Sequence, residues 1–137
     1  MKSLKINEIN IGDSAFTTKT IKNKDVLAFA KLVGDFNPIH TDEEAGRNSI
    51  FGRRVVHGAL VSSLFSGVLG TELPGLGCVY LKQEIKYTAP TFLNDTVTAT
   101  VTVTEIDREK GRVTLKTDAV NQHGILLCTG FALILVK

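Results

Sequence analysis

Apolar and polar residues alternate strictly over 96–104, where Val97, Ala99, Val101 and Val103 are separated by threonines. Side chains of a β-strand point alternately to its two faces, so this pattern predicts a strand with one buried and one solvated face. Further strands are predicted over 15–21, 77–88, 112–120 and 125–136. The short turns at 94–95, 109–111 and 122–124 favour antiparallel pairing of these strands.

The last predicted strand, 125–136, is apolar at almost every position. A strand of this composition is typical of an interior position that is covered on both faces. A helix of the same chain would cover one face, and a second copy of the chain would cover the other. The pattern therefore favours a homodimer.

The longest helix is predicted over 58–69, and its large residues point in nearly every direction, which indicates burial all round. These residues are Ala59, Leu60, Val61, Leu64, Phe65, Val68 and Leu69. The small residues between them would let another backbone or a ligand come close; they are Ser62, Ser63, Ser66 and Gly67. The sequence therefore predicts a central core helix with a narrow side.

Two other helices are predicted before the core helix. Asn23 is a suitable N-cap for a helix in which Val26, Phe29, Ala30 and Val33 recur at helical spacing, and Gly34 is a suitable end. Thr41, with Glu44 three residues later, matches a capping box for one or two turns. An irregular surface segment is expected over 46–56.

One upstream strand, a long buried helix and four further strands predict an α+β protein. The expected arrangement is the hotdog fold, a curved antiparallel β-sheet wrapped around a central helix. A doubly wound parallel sheet is disfavoured because the strands do not alternate with helices. We expect residues 1–137 to form one domain, since this length suits a single core.

Composition limits the classes of function. The chain is 43% hydrophobic and 22% charged, with a net charge of +2, which is too small and too evenly spread for a nucleic-acid-binding surface. Arg53, Arg54, Lys82 and Lys86 are its only notable basic pairs, and they are either solvated surface features or contacts to a phosphate.

The location of the protein is predicted from three further features. The first thirteen residues lack the apolar run of a secretory signal, and the core helix is shorter than a membrane span. Cys78 and Cys128 lie within apolar segments, so we expect buried, reduced thiols rather than a disulfide or a metal site. These features predict a cytoplasmic protein without membrane insertion.

Candidate chemistry begins where the first helix ends, in Asp35-Phe36-Asn37-Pro38-Ile39-His40. On a continuous helix or strand Asp35 and His40 would diverge, but Asn37-Pro38 imposes a turn that can bring both side chains together. Further along, Val56-His57-Gly58 opens the core helix with a free backbone N–H at its positive end. A carboxylate, an imidazole and an amide that stabilises an anion would form a usable catalytic set.

These segments, together with Leu64-Phe65-Ser66-Gly67, resemble the hydratase motif of the MaoC-like dehydratase family. The resemblance extends from the first helix to the last strand and is strongest to the short, single-domain (R)-specific 2-enoyl-CoA hydratases. It implies reversible addition of water to a trans-2-enoyl-CoA, giving an (R)-3-hydroxyacyl-CoA. The enzyme would be a hydro-lyase that acts on acyl-CoA and forms a homodimer with coenzyme A across the subunit boundary.

The resemblance also implies roles for individual residues. Asp35 and His40 would hold and activate one water molecule, Asn37 would shape the turn, and the Gly58 amide would receive the thioester oxygen. His57 would be a positioning residue. Ser62, Ser66 and Leu69 would lie near the catalytic pair or the acyl chain, or serve only in packing. Arg53, Arg54, Lys82 or Lys86 would meet the phosphates of coenzyme A.

No cofactor is expected, since coenzyme A is part of the substrate, and no metal is required, because a carboxylate and an imidazole together supply a base and a proton relay. A metal site formed by Asp35, His40 and His57 with Asp42 or Glu43 lacks a recognised ligand spacing.

Three other functions are compatible with a hotdog fold. Many thioesterases carry a carboxylate on the central helix, but residues 58–70 contain no Asp or Glu. Dehydratases that act on carrier-protein thioesters typically pair a histidine with a glutamate on that helix, a pattern that is missing here. A non-catalytic acyl-CoA-binding protein would not need both Asp35 and His40.

Overall fold

The computed structural model describes all residues from Met1 to Lys137 and contains one five-stranded antiparallel sheet in the order β1-β3-β4-β5-β2. The strands are β1 (Ser14–Thr20), β2 (Val79–Tyr87), β3 (Thr96–Asp107), β4 (Arg112–Val120) and β5 (Leu126–Leu135). The helices are α1 (Asn23–Val33), α2 (Pro38–Thr41), α3 (Glu43–Asn48) and α4 (Gly58–Thr71), and a 3-10 turn spans Ile6–Glu8. All five predicted strands are present, and the predicted hotdog fold is confirmed.

The core lies between α4 and one face of the sheet. Phe65 and Leu69 of α4 are buried in one cluster with the alternating apolar residues of β3, from Val97 to Val103. The threonines between those residues face the other side and remain partly exposed. The alternation seen in the sequence therefore sets which face of β3 meets the helix.

The expectation that α4 is buried all round is wrong for the single chain. The sheet packs against one side of the helix only, and the opposite side, which includes Ala59, Ser63, Ser66 and Gly67, is exposed. The large apolar residues thus face the core, while small residues occupy the outer side.

The interior position predicted for β5 is confirmed, because it pairs with β4 on one side and with β2 on the other. Its second face, which includes Phe131 and Leu133, is only partly covered within the chain. Strand β2 forms one edge of the sheet and exposes Val79 and Leu81. A free edge with apolar side chains is a surface on which a second chain can pair.

Two predicted helix caps are wrong by one residue. The N-cap of α1 is Lys22, whose backbone N–H donates to the Asp25 carboxylate at 2.8 Å, while Asn23 is already helical. The N-cap of α3 is Asp42, whose carboxylate accepts from Ala45 N–H, because Thr41 still belongs to α2. The following segment, predicted to be irregular from residue 46, continues as helix to Asn48.

None of the helices has the length and apolar character needed to cross a bilayer. Cys78 and Cys128 are both free thiols, but only Cys128 is fully buried, while Cys78 is half-buried beside the end of α4. Burial, with a smaller contribution from the Asp118 carboxylate, raises the pKa of the Cys128 thiol to about 11.

Candidate active site

Asp35 and His40 face each other across the turn between α1 and α2. Gly34 ends α1 in the left-handed conformation, and Asn37 caps α2 by accepting the Ile39 N–H with its side-chain oxygen. Pro38 occupies the first helical position, so α2 restarts in a new direction. This break places Asp35 Oδ2 3.9 Å from His40 Nε2, and the convergence inferred from Asn-Pro is present in the structure.

His40 is held in one orientation by the backbone. Its Nδ1 lies 2.7 Å from the carbonyl oxygen of Val55, and only 12% of its side chain is exposed. A carbonyl can only accept a hydrogen bond, so Nδ1 carries a proton and, in the neutral ring, Nε2 presents a lone pair toward Asp35. The Asp35 side chain is 48% exposed and accepts the Asn37 N–H, so the site is open to solvent on the carboxylate side.

His57 contacts both residues of this pair. Its ring stacks on that of His40, with centroids 3.9 Å apart, and its Nε2 donates to the backbone carbonyl of Asp35 at 3.1 Å. The Nδ1 atom is buried and has no partner within the chain. The ring of Phe29 lies on another side of His57. His57 thus contacts both halves of the candidate pair.

Arg54 is buried and joins three elements. Its Nε donates to the carbonyl of His40, its Nη1 to Glu43, and its Nη2 to the side-chain oxygen of Asn23. Gly46 of α3 packs directly on the Arg54 backbone, where a Cβ would lie 2.5 Å from the amide nitrogen. With its guanidinium committed to these three acceptors, Arg54 braces the site and is not placed to meet a phosphate.

Gly58, the first residue of α4, lies beside the largest cavity of the chain, and its N–H has no acceptor within the protein. The cavity has a volume of about 650 Å³ and is lined by both His40 and Gly58, with mostly apolar residues around them. The Tyr87 ring packs so closely on Gly58 that a Cβ there would lie 2.9 Å from the ring. A side chain at this position would therefore have to displace the Tyr87 ring.

The other predicted site residues are more scattered. Ser62 is bonded to the Tyr87 hydroxyl, and Ser66, one turn later, is exposed. Leu69 is buried in the core between α4 and the sheet. Neither Ser66 nor Leu69 lines the cavity beside His40, so their contact with an acyl chain stays a prediction.

The remaining basic residues are exposed. Arg53 lies over the ring of Phe92, with Cζ 3.5 Å from the ring centroid, and Lys82 and Lys86 project from β2. Tyr87, at the end of the same strand, was missed by the sequence interpretation. The partner of its hydroxyl, Ser62, is 25 residues away in the sequence, so no local pattern reveals the contact.

One donor atom from each of Asp35, His40 and His57 lies within 4.8 Å of the others, so three potential metal ligands are close together. However, His57 Nε2 is hydrogen-bonded to the Asp35 carbonyl, and its Nδ1 is buried. His57 therefore has no lone pair that is available to a metal ion between Asp35 and His40. Asp42 caps α3 and Glu43 binds Arg54, so neither joins the cluster. The donor set does not favour a metal site.

The fold and this constellation define a hotdog protein with a carboxylate and an imidazole beside an apolar cavity. Residues 9–123 match the MaoC like domain, and the chain belongs to that family. The resemblance noted from the motifs is thereby confirmed.

The chain is similar to two curated proteins along most of its length. An (R)-specific enoyl-CoA hydratase from Aeromonas caviae is 42% identical over 126 residues, which cover 92% of this chain and 94% of that protein. Another, from Rhodospirillum rubrum, is 46% identical over 110 residues, covering 80% of this chain and 76% of that protein. The solved structure of the Aeromonas caviae (R)-hydratase matches this fold with a TM-score of 0.92 over 94% of this chain and 98% of that chain, at 41% identity.

Proposed function

We propose that this protein is an (R)-specific enoyl-CoA hydratase, a hydro-lyase that reversibly adds water to a trans-2-enoyl-CoA. The observation that carries the proposal is the 3.9 Å separation of Asp35 and His40 beside a cavity that His40 shares with Gly58. The identity of 42% and 46% to curated (R)-specific hydratases supports the same activity.

The pair has a separation suited to sharing one water molecule. Two polar atoms 3.9 Å apart are too far for a direct hydrogen bond but close enough for a water to bond to both. The Nε2 lone pair of His40 takes a proton from this water while Asp35 orients it, and the oxygen attacks C3 of the enoyl thioester. A proton returned to C2 on the same face completes the syn addition.

The charge that develops during attack falls on the thioester oxygen. The free N–H of Gly58, at the positive end of the 14-residue helix α4, is the donor that receives this charge. Removing one such donor typically lowers the rate about 10²- to 10³-fold, so the amide would contribute as much as a catalytic side chain.

Two residues keep this arrangement in place. Asn37 stabilises the turn through two hydrogen bonds. Its side-chain oxygen accepts the Ile39 N–H, and its backbone N–H donates to the Asp35 carboxylate. His57 is a positioning residue, because it supports the His40 ring and holds the Asp35 backbone. Neither needs to touch the reacting atoms.

The reaction as proposed uses no metal and no cofactor beyond the coenzyme A of the substrate. His40 supplies the base and the proton relay, and Gly58 supplies the stabilisation that a Lewis acid would otherwise give. Dialysis against EDTA should leave the rate unchanged, and restoration of a lost rate by Zn²⁺ or Mg²⁺ would reject this part of the proposal.

The decisive experiment follows the loss of enoyl absorbance when crotonyl-CoA is added to the purified protein. Asp35→Ala and His40→Ala should each lower kcat at least ~10²-fold, in line with loss of acid-base catalysis. Glu44→Gln, an exposed acid on α3, is the matched control and should retain full activity. Undiminished turnover in both active-site variants would refute the assigned roles.

Two further measurements separate the neighbouring functions. Coupling the product to an (R)-specific or an (S)-specific 3-hydroxyacyl-CoA dehydrogenase determines the configuration, and we expect the (R) product only. The hydration rate with crotonyl-CoA is compared with the rate with crotonyl carrier protein. A hydratase prefers the CoA thioester, and a carrier-protein dehydratase prefers the carrier-protein thioester. Release of free thiol without hydration would indicate a thioesterase, and binding without turnover would indicate a non-catalytic protein.

We propose that the protein works as a homodimer. The free edge of β2 exposes Val79 and Leu81, and the second face of β5 is only partly covered, so a second copy has apolar surface to bury. Light scattering after gel filtration should give twice the mass of one chain. A monomer that is fully active would reject the dimer.

We also propose the cytoplasm as the compartment, because both cysteines are unpaired thiols. Fractionation of cells that produce the protein, probed with an antibody, should place it with cytoplasmic markers. Recovery with membranes or in the medium would contradict this.

A further inference from the structure

Tyr87 contacts the start of α4 at two points. As the last residue of β2, it pairs with Cys128 and projects its ring onto the Cα of Gly58. Its hydroxyl lies 2.9 Å from Oγ of Ser62, one turn further along the same helix. The ring therefore spans the first turn of α4 between the residue proposed to bind the thioester and a serine on the next turn.

The Ser62 hydroxyl has two hydrogen-bond partners. It lies 2.9 Å from the Tyr87 hydroxyl, where either oxygen can donate, and 3.3 Å from the carbonyl of Ala59, where only the serine can donate. The shorter contact joins Tyr87 to α4 whichever hydroxyl supplies the proton.

Two contacts within the chain hold the Tyr87 ring. Half of the residue is exposed in the single chain, with a relative exposure of 51%, and it stands at the end of strand β2. Contact with Gly58 restrains one face of the ring, and the bond to Ser62 restrains its far end. Loss of that bond would free the ring to turn about its side-chain torsions.

The position of the ring matters because Tyr87 lines the same cavity as His40 and Gly58. An acyl thioester whose oxygen reaches the Gly58 N–H must pass along the wall that the ring forms. We propose that Tyr87 is a positioning residue, locked by Ser62, that sets how the thioester carbonyl approaches the Gly58 amide. This inference rests on the proposed hydratase function and adds a residue pair to it.

The test is a double-mutant cycle on steady-state hydration of crotonyl-CoA. Tyr87→Phe removes only the hydroxyl, and Ser62→Ala removes only its partner, so both keep the ring. Each should lower kcat about three- to tenfold, the range that corresponds to one hydrogen bond. The double variant should be no slower than either single variant, because one bond is lost in all three.

Tyr80→Phe is the matched control, since it removes the other tyrosine hydroxyl of β2, which bonds to Gln83 away from the cavity. It should keep the wild-type kcat. The melting temperature of every variant is measured beside the kinetics. A purely structural role would lower the melting temperature and leave kcat unchanged, whereas a positioning role lowers kcat and kcat/KM together.

The outcomes are distinct. Wild-type kcat in Tyr87→Phe and Ser62→Ala, with or without a change in melting temperature, overturns the inference. If the losses of kcat in the double variant are additive, the two hydroxyls act separately, and the proposal that Ser62 holds Tyr87 in place is rejected. An inactive wild-type protein would instead reject the proposed function, and the inference with it.

Discussion

The imidazole rings of His40 and His57 are stacked, with centroids 3.9 Å apart and planes inclined by 27°. His57 is 2% exposed, and its Nε2 bonds to the Asp35 backbone, so one buried ring touches both members of the proposed catalytic pair. A residue that bears no reacting atom thereby sets the distance between two that do.

Replacement of His57 should therefore affect both rate and stability. His57→Ala leaves a void beneath His40, which should lower the free energy of unfolding by about 2–4 kcal/mol. It also releases the His40 ring, and small misplacements of a catalytic group lower kcat by about 10- to 100-fold. Steady-state kinetics and thermal unfolding measure these two effects. His123→Ala, in an exposed turn, is the control, and equal kinetics in both variants would contradict the role.

Gly58 should not tolerate a side chain. A Cβ at this position meets the Tyr87 ring at 2.9 Å, so Gly58→Ala must displace either the ring or the start of α4. Overpacking of this kind costs about 1–3 kcal/mol, and the displaced amide should lower kcat as well. Gly70→Ala in the same helix has nothing within 4 Å of its new Cβ and should stabilise the protein by about 0.5–1 kcal/mol. Equal melting temperatures for the two variants would contradict the close contact.

The adjacent arginines should behave differently. The three acceptors of Arg54 are reached by three separate nitrogens, and the single nitrogen of a lysine cannot reach all of them. Arg54→Lys should therefore lower the free energy of unfolding by about 1–3 kcal/mol and reduce kcat by loosening the His40 backbone. Arg53 is exposed and contacts only the ring of Phe92 through its guanidinium, so Arg53→Ala should lower the melting temperature less than Arg54→Lys does. If Arg53 meets a phosphate of coenzyme A, its removal raises KM about three- to tenfold, and the increase shrinks with added salt. A stability loss confined to Arg53→Ala would reverse these assignments.

Cys128 should resist modification while the protein is folded. Its pKa of about 11 keeps the thiol protonated at neutral pH, and only thiolates react with iodoacetamide. The unfolded chain, with a thiol pKa of 9.0, loses this proton first as the pH rises, so stability should fall between about pH 9 and 11. Unfolding at several pH values should show a flatter alkaline slope for Cys128→Ala. Rapid labelling of the native thiol at pH 7 would contradict its burial.

The strands and the core helix could be predicted because their signals are local. The alternation from Val97 to Val103 and the apolar residues around Phe65 each report a face that must be buried. The helix starts were harder to predict, since Asn23 and Lys22 are adjacent and the choice depends on which N–H the Asp25 carboxylate reaches. The approach of Asp35 to His40 was predictable because Asn37-Pro38 acts over a few residues.

Contacts between distant parts of the chain could not be predicted. Arg54 was a reasonable candidate for a phosphate contact until its partners Asn23 and Glu43 were seen, because a sequence does not show which acceptors surround a guanidinium. Tyr87 and Ser62 are 25 residues apart and on different elements, so no local pattern joins them. Whether the outer side of α4 is exposed depends on whether anything besides the one sheet covers the helix. The composition of the helix does not reveal this.

Residue Val55 closes a loop at its base. Its N–H donates to the carbonyl of Ile39, and its own carbonyl accepts from His40. These two bonds join the ends of the segment between residues 40 and 55, which includes α3. Phe51, near the tip of this excursion, lines the cavity. Insertions or substitutions around Phe51 can therefore reshape the space offered to a substrate while the histidine keeps its place, so that substrate range and reaction geometry are free to evolve separately.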